Sequence, residues 1–363
     1  MCIRDRQIVY EIGDPRAYQL PDVTCDFSQI QLEQAGEDRV RISGVGGRPP
    51  SDRYKVSATA YDGYRTTAVA MLYGADAVAK AERVAESMLT RVRRMVEQAG
   101  LGDFRATQVE VLGSESIYGP HGRRRDAREV VLRLSVHHDR RRAVSMFAKE
   151  VASAGTSFAP GLSGMIGGRA RPAPMLRLSS CFIDKSAVPV TVAIGPAEIS
   201  TPVTATAATQ AGSREQPGLH AHPSVEAPPS PDETTVADAV TVPLRALAHG
   251  RSGDKGNDAN IGIIARRRRF LPLLRAELTP RRVAAYLAHL LAGGEQGRLE
   301  RHEWPGLGAL NFVLHDALGG GGLSSLRYDA QGKGFAQLLL DMPVQVPRRW
   351  LEPAGPLHGF DRD

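Results

Sequence analysis

Asp254, Lys255 and His249 are the residues whose types and spacing best fit proton-transfer chemistry, and they sit in one dense polar run, Ala248-His249-Gly250-Arg251-Ser252-Gly253-Asp254-Lys255-Gly256-Asn257-Asp258-Ala259-Asn260-Ile261-Gly262. An aspartate or histidine can move a proton beside a carbonyl that a lysine or backbone amides polarise, so Asp254 or His249 is the expected acid or base. Gly250, Gly253 and Gly256 permit positive φ and close backbone approach, so successive amides could converge on a phosphate or carboxylate. Arg251 and Lys255 add positive charge there. The competing reading is a loop whose Asp and Asn side chains cap its own turns.

Several other chemistries fail on spacing. A nucleotide-binding P-loop needs Gly-Lys-Ser/Thr entering a helix, whereas Lys255 is followed by Gly256-Asn257 and then strand-like residues. Asp254, Asn257, Asp258 and Asn260 offer oxygen ligands, but their spacing departs from the calcium-loop pattern, and no metal is expected. Ser252 lacks a Gly-x-Ser-x-Gly elbow and is read as a substrate contact rather than a nucleophile. Asn311 and His315 fall four apart on an expected helix, one face of which could reach the loop. Thr156 and Ser157 belong to a long small-residue stretch from Gly155 to Arg169 that could close over a ligand; composition equally suits a surface loop. Gly319 to Gly322 reads as a helix stop.

These residues need elements to position them. Val240, Val242, Leu244 and Ala246 alternate before the polar run and Ile261, Ile263 and Ile264 follow it, predicting two strands joined by the loop. Further on come an expected helix from Thr279 to Leu291, a strand near Leu299 to Glu303, an apolar segment from Leu307 to Leu318, and strands near Leu323 to Tyr328 and Gly334 to Met342. Earlier, Tyr54 to Ala60 and Thr66 to Tyr73 read as strands. Asp76 is placed to cap a helix with Val78, Ala81, Ala85, Met88, Val92, Met95 and Ala99 inward, stopped by Gly100. Strands around Val109 and from Val130 to Val136 follow, then a helix capped by Asp139, and strands near Met175 to Phe182 and Val188 to Ile194. The order predicts an α+β fold: two lobes of largely antiparallel sheet with helices on one face, the second ferredoxin-like. Residues 196–239 lack Phe, Tyr and Trp, are rich in Pro, Ala and Thr, and carry net −5 from one arginine against six acids. This is a linker, on the order of 35 Å long as a coil. It divides a first lobe, 1–195, from a second, 240–363.

Composition bounds the partners. At 42% hydrophobic and 24% charged, the chain is not disordered throughout. The net charge of +6 comes from arginine clusters at 123–125, 140–142 and 266–269 with little aromatic interleaving, so a solvated basic surface is expected rather than a nucleic-acid site. Three widely separated cysteines without ligand spacing suit a reducing compartment, and no apolar run reaches the roughly 20 residues of a membrane span. A cytoplasmic protein is expected, with no membrane contact. The opening Met1-Cys2-Ile3-Arg4-Asp5-Arg6 leads at once into Gln7-Ile8-Val9-Tyr10, as though in mid-domain, so upstream sequence is expected to be missing.

At Ser252-Gly253-Asp254-Lys255-Gly256-Asn257 and Ala259-Asn260-Ile261-Gly262 the chain resembles the C-terminal ferredoxin-like domain of the acyclic terpene utilisation family AtuA. The likeness continues through Leu271 to Arg275, Leu310-Asn311-Phe312, His315 to Gly322 and Leu340 to Pro343. The first lobe is similar to the later part of that family's N-terminal domain at Pro21-Asp22-Val23, Gly47 to Pro50, Tyr54 to Thr59, Tyr118-Gly119-Pro120-His121 and Ala154 to Ser157. The resemblance implies a place in the catabolism of branched acyclic terpenoids, whose acids are handled as coenzyme A thioesters beside carboxylases and hydratases. It also implies a further α/β portion ahead of Gln7 in full-length relatives. The resulting expectation is hydratase-, lyase- or isomerase-like proton transfer on an acyl-coenzyme A or related carboxylate, with no tightly bound cofactor. Asp254 would be the acid or base, Lys255 and Arg251 would bind negative charge, and Asn257, Asn260 and His249 would orient substrate. The alternative is a noncatalytic partner or scaffold of an acyl-coenzyme A carboxylase or hydratase.

Overall fold

The computed structural model describes residues 8–164, 168–195, 197–201 and 238–360; most of the linker, and Cys2, lie outside them. Two small antiparallel sheets precede the first-lobe sheet: strands β1 (Tyr18–Gln19), β2 (Thr24–Asp26) and β5 (Gly46–Arg48) pair together, and β3 (Gln31–Gly36) pairs with β4 (Arg39–Ser43). The first-lobe sheet then runs in the order β10 (Ala173–Asp184), β6 (Arg53–Tyr73), β8 (Glu129–His138), β7 (Ala106–Leu112), with β9 (Leu162–Ser163) beside β6, and every pairing is antiparallel.

Strand β6 is one element where sequence pattern predicts two. Gly63 interrupts the alternation at φ 81°, where a Cβ would lie 2.7 Å from the His138 carbonyl. The register of β10 on β6 shifts at the same place, so a bulge bends a continuous strand. Helix α1 (Ala77–Gln98) packs Val78, Ala81, Ala85, Met88 and Val92 inward, and Gly100 ends it at φ 66°. Its N-cap Asp76 makes no side-chain capping bond. The Asp139 expected to cap helix α2 (Arg141–Ser157) instead accepts a hydrogen bond from Arg105. Both helices cover one face of the sheet around Phe147, Leu132, Leu134 and Val136. A separate hairpin, β11 (Val190–Ile194) with β12 (Ala197–Thr201), follows.

Strand β13 (Ala239–Pro243) pairs with the last strand, β18 (Pro343–Pro347). Between them lies the second-lobe sheet, ordered β14 (Ala248–Lys255), β15 (Asp258–Ala265), β17 (Ala309–Leu314), β16 (Leu299–Trp304), again antiparallel. Helices α3 (Leu271–Glu277), α4 (Pro280–Tyr286), α5 (Gly321–Ser324) and α6 (Phe335–Leu340) accompany it. Thr279 caps α4, accepting from the Arg282 amide at 3.3 Å. The two-lobe α+β architecture and the ferredoxin-like second lobe are as the sequence predicts.

Local expectations fail in four places there. The polar run is almost all strand, because its small residues alternate between two covered faces. Asn311 stands on strand β17 and His315 follows its end; a short apolar run does not distinguish helix from strand by periodicity. Residues expected as strands form α5 and α6, the latter apolar on nearly every side and therefore buried nearly all round. Gly319 to Gly322 consequently enters a short helix instead of stopping one.

Candidate functional site

The site begins at a two-residue turn. Lys255 pairs in register with Asp258, leaving Gly256 at φ 71° and Asn257 as the connection, a turn whose positive φ at the first position favours glycine. Asn257 then docks this turn into the glycine run. Its Nδ2 donates to Asp316 Oδ1 (2.7 Å), its Oδ1 accepts from the Gly320 amide (2.6 Å), and its carbonyl accepts from the Leu318 amide (3.1 Å). Gly321, at φ 76°, faces the Gly256 carbonyl so closely that no Cβ fits. The glycines serve backbone-to-backbone contact.

The docked turn forms one wall of a cleft between the lobes, a cavity of about 500 Å³. Asp254, Lys255, Asp258, Gly320 to Gly322 and Gln331 line it from the second lobe; Lys55, Leu178 and Ser180 line it from the first. Among the described residues the Asp254 carboxylate has neither a hydrogen bond nor an ion pair. Lys255 is already engaged, its Nζ 2.7 Å from Glu11 Oε2. An adjoining cavity of about 650 Å³ shares Leu178, Asn257 and Gly320 and adds Arg105, Arg177 and Arg327. Arg105 and Arg177 both grip Asp62, at 2.8 and 2.7 Å; burial pushes that carboxyl's pKa up, but the two guanidinium groups outweigh it and hold it below the usual range. Arg327 donates to the Ala317 and Leu290 carbonyls, and burial pulls its pKa down against the opposing fields of Glu110 and Asp329.

Strand alternation sends the other expected site residues elsewhere. His249, Arg251, Gly253 and Lys255 share one face of β14; Ser252 and Asp254 share the opposite one. His249 is five residues from Asp254, roughly 16 Å along a strand, so the structure does not bring them together. Ser252 is buried, its Oγ 2.6 Å from the Gly332 carbonyl and accepting from the Ala336 amide at 2.9 Å, which anchors α6. Asn260 and Asn311 are buried on the other face. Asn260 donates to the Tyr10 carbonyl, and Asn311 Nδ2 reaches the Ile12 and Gly13 carbonyls (2.9 and 2.5 Å) and Asn260 Oδ1 (3.0 Å). Together they hold residues 9–13 across the sheet. Gly253 and Gly262 admit that segment, for a Cβ would meet the Tyr10 ring at 2.5 Å and Val9 at 2.7 Å respectively. Arg251 lies over the Tyr10 ring, 5.1 Å from its centroid.

His315 stands between two carboxylates, with Nδ1 3.1 Å from Asp258 Oδ2 and Nε2 3.2 Å from Glu300 Oε1. Hydrogen bonding from Arg298, opposed by burial and reinforced by His315, holds the Glu300 carboxyl below its usual range. Thr156 and Ser157 end α2 and hydrogen-bond back to the Ser153 carbonyl at 3.0 and 2.9 Å, away from the turn. The cleft residues that sequence reasoning missed are Lys55, Arg105, Arg177 and Arg327, which no spacing links to Asp254. Lys55 carried one usable signal, as one of only six lysines.

No helix among the described residues is long and apolar enough to cross a membrane, and none of their His, Cys, Asp and Glu side chains form a group of three able to hold a metal ion. No curated protein and no solved structure matches the chain. Family models do match: the ferredoxin-like domain of AtuA covers residues 242–345, and the acyclic terpene utilisation family protein AtuA covers residues 4–194, more than half of the sequence. The chain therefore belongs to the acyclic terpene utilisation family AtuA, and its second lobe is that family's ferredoxin-like domain.

Proposed function

We propose that the chain binds a branched acyl-coenzyme A or related carboxylate in the interlobe cleft and transfers a proton on it, with Asp254 as the acid or base. The observation that carries this reading is the Asp254 carboxylate, without a bonded partner among the described residues, at a cavity to which both lobes contribute. A carboxylate spared from structural bonds is free to exchange a proton with a bound substrate. Lys55 supplies positive charge in the same cavity, and the neighbouring arginine-lined space suits the phosphates of a coenzyme A thioester. Lys255 and Asn257 hold the wall, the first through Glu11 and the second through the glycine run. His249, Ser252, Asn260 and Asn311 act as positioning residues for the sheet that presents Asp254.

The test is Asp254→Asn, assayed with citronellyl- and geranyl-coenzyme A. Removing a general acid or base should lower turnover by about 10²- to 10⁴-fold while leaving the melting temperature in place. Unchanged turnover and unchanged acyl-coenzyme A affinity would remove the role. A second reading, a noncatalytic partner of an acyl-coenzyme A carboxylase or hydratase, draws support from the ribbon formed by β6 and β10, where Tyr61 is 82% and Phe182 59% exposed. Copurification with a carboxylase or hydratase subunit, with no acyl-coenzyme A consumption by the chain alone, would favour it.

A further inference from the structure

A second cleft between the lobes is built by the Tyr118-Gly119-Pro120-His121 motif. Gly119 adopts φ 55° and ψ −122°, and a Cβ there would lie 2.6 Å from His289 Cδ2, so only glycine lets this turn close on the second lobe. The turn sets His121 flat on Tyr286, with ring centroids 3.9 Å apart and planes 16° apart. His121 Nε2 lies 2.9 Å from the Tyr286 carbonyl. A carbonyl only accepts, so Nε2 carries the hydrogen.

The cavity beside this stack has a volume of about 510 Å³. Its charged lining is Arg123, Arg245 and Asp341, of which Arg245 and Asp341 pair with each other at 2.8 Å. Glu115 accepts from the Arg123 backbone amide (2.7 Å), and among the described residues the Arg123 guanidinium makes neither a hydrogen bond nor an ion pair, so it is the cleft's one charged group without a bonded partner. Burial, with the nearby Asp341 charge, pushes the Tyr286 hydroxyl up to about 12, which keeps it a neutral donor through physiological pH. Val242, Pro243 and Pro343 supply apolar wall.

We propose that this cleft is a binding site for a small monocarboxylate with a compact aliphatic body, its carboxylate on Arg123 and Tyr286 and its body on the Val242, Pro243 and Pro343 wall. The site stands apart from the Asp254 cleft and does not rest on the reading of it.

The experiment is calorimetric titration of the full chain with isovalerate and, separately, with its uncharged amide. Isovalerate should bind saturably and the amide at least about tenfold more weakly, as a charge-assisted contact demands. Arg123→Ala should cost isovalerate at least about tenfold, Tyr286→Phe about threefold, and the neighbouring Arg124→Ala nothing. Asp254→Asn should leave isovalerate binding unchanged, so failure of either cleft is visible without the other. Tyr286→Phe preserves the ring under His121 and serves if Arg123→Ala disturbs folding. Absence of saturable binding, equal affinity for acid and amide, or an affinity that neither variant moves overturns the proposal.

Discussion

The two lobes solve the same problem with different materials. Each is an antiparallel sheet with helices on one face, and each must cover the other face. The first lobe covers it with the second: Arg133 and Glu110, only 15% and 11% exposed, pair in the interface, where Arg133 also donates to the Leu326 carbonyl and Glu110 accepts from the Tyr328 amide at 2.9 Å. Arg65 adds a bond to the Ser325 carbonyl at 3.3 Å. The second lobe covers its open face with residues 9–13, using neutral amides and an apolar cluster of Val9, Ile12, Ile264, Trp304 and Ala309. A buried charge pair is stiff but costly to break on one side, whereas an amide ladder distributes the burden over several weaker bonds. Asp254 takes no part in the bonds of either seam, though its cleft lies between the lobes.

The largest effect should come from breaking the charged seam. Glu110→Ala leaves Arg133 buried without its partner and should destabilise the chain by about 3–5 kcal/mol in urea unfolding. Asn311→Leu strips bonds from the Ile12 and Gly13 carbonyls and from Asn260; about 2–4 kcal/mol is expected, with faster hydrogen exchange confined to residues 9–13. Acid should then loosen the lobes specifically. Burial holds the His289 imidazole below its ordinary value of 6.5 despite the bond from Nε2 to the Ile117 carbonyl at 3.0 Å. The unfolded chain therefore takes up this proton at the higher pH, so the stabilisation is whole above about pH 6.5 and lost as pH falls toward the folded value. Interlobe amides compared at about pH 7.5 and about pH 5.5 should exchange faster in acid, and His289→Asn should flatten that difference. Lys255→Met, which breaks a half-exposed pair with Glu11, should cost no more than about 1 kcal/mol; a larger loss would mean the amide ladder depends on that ion pair.

Much of this was legible from periodicity, and the failures share a cause. Helix α1 was readable because Val78, Ala81, Ala85, Met88 and Val92 mark one face at helical spacing, and that face is buried. The polar run reads as a loop in sequence because Gly253, Asn260 and Gly262 look like turn residues when only local bonding is considered. They stand in strands because a segment some 250 residues away fills the space their missing or short side chains leave. Ser252 likewise resembled a substrate contact, while its hydroxyl is committed to Gly332 and Ala336. Asp254 stands at a cavity between the lobes, but its neighbours there are not legible in the sequence: Lys55 on β6 and Leu178 and Ser180 on β10 line it together only because β10 pairs with β6.

The bonds from Asn260 and Asn311 to residues 10, 12 and 13 tie a segment ahead of the first lobe's sheet to the second lobe. During synthesis the segment that completes the second sheet leaves the ribosome well before that sheet and must wait, unsatisfied, until β17 has emerged. The same tie closes the molecule into a noncovalent ring. A protease cut between the lobes would thus leave two fragments still clasped, and separately expressed halves should reassemble by complementation, provided the first half retains residues 9–13.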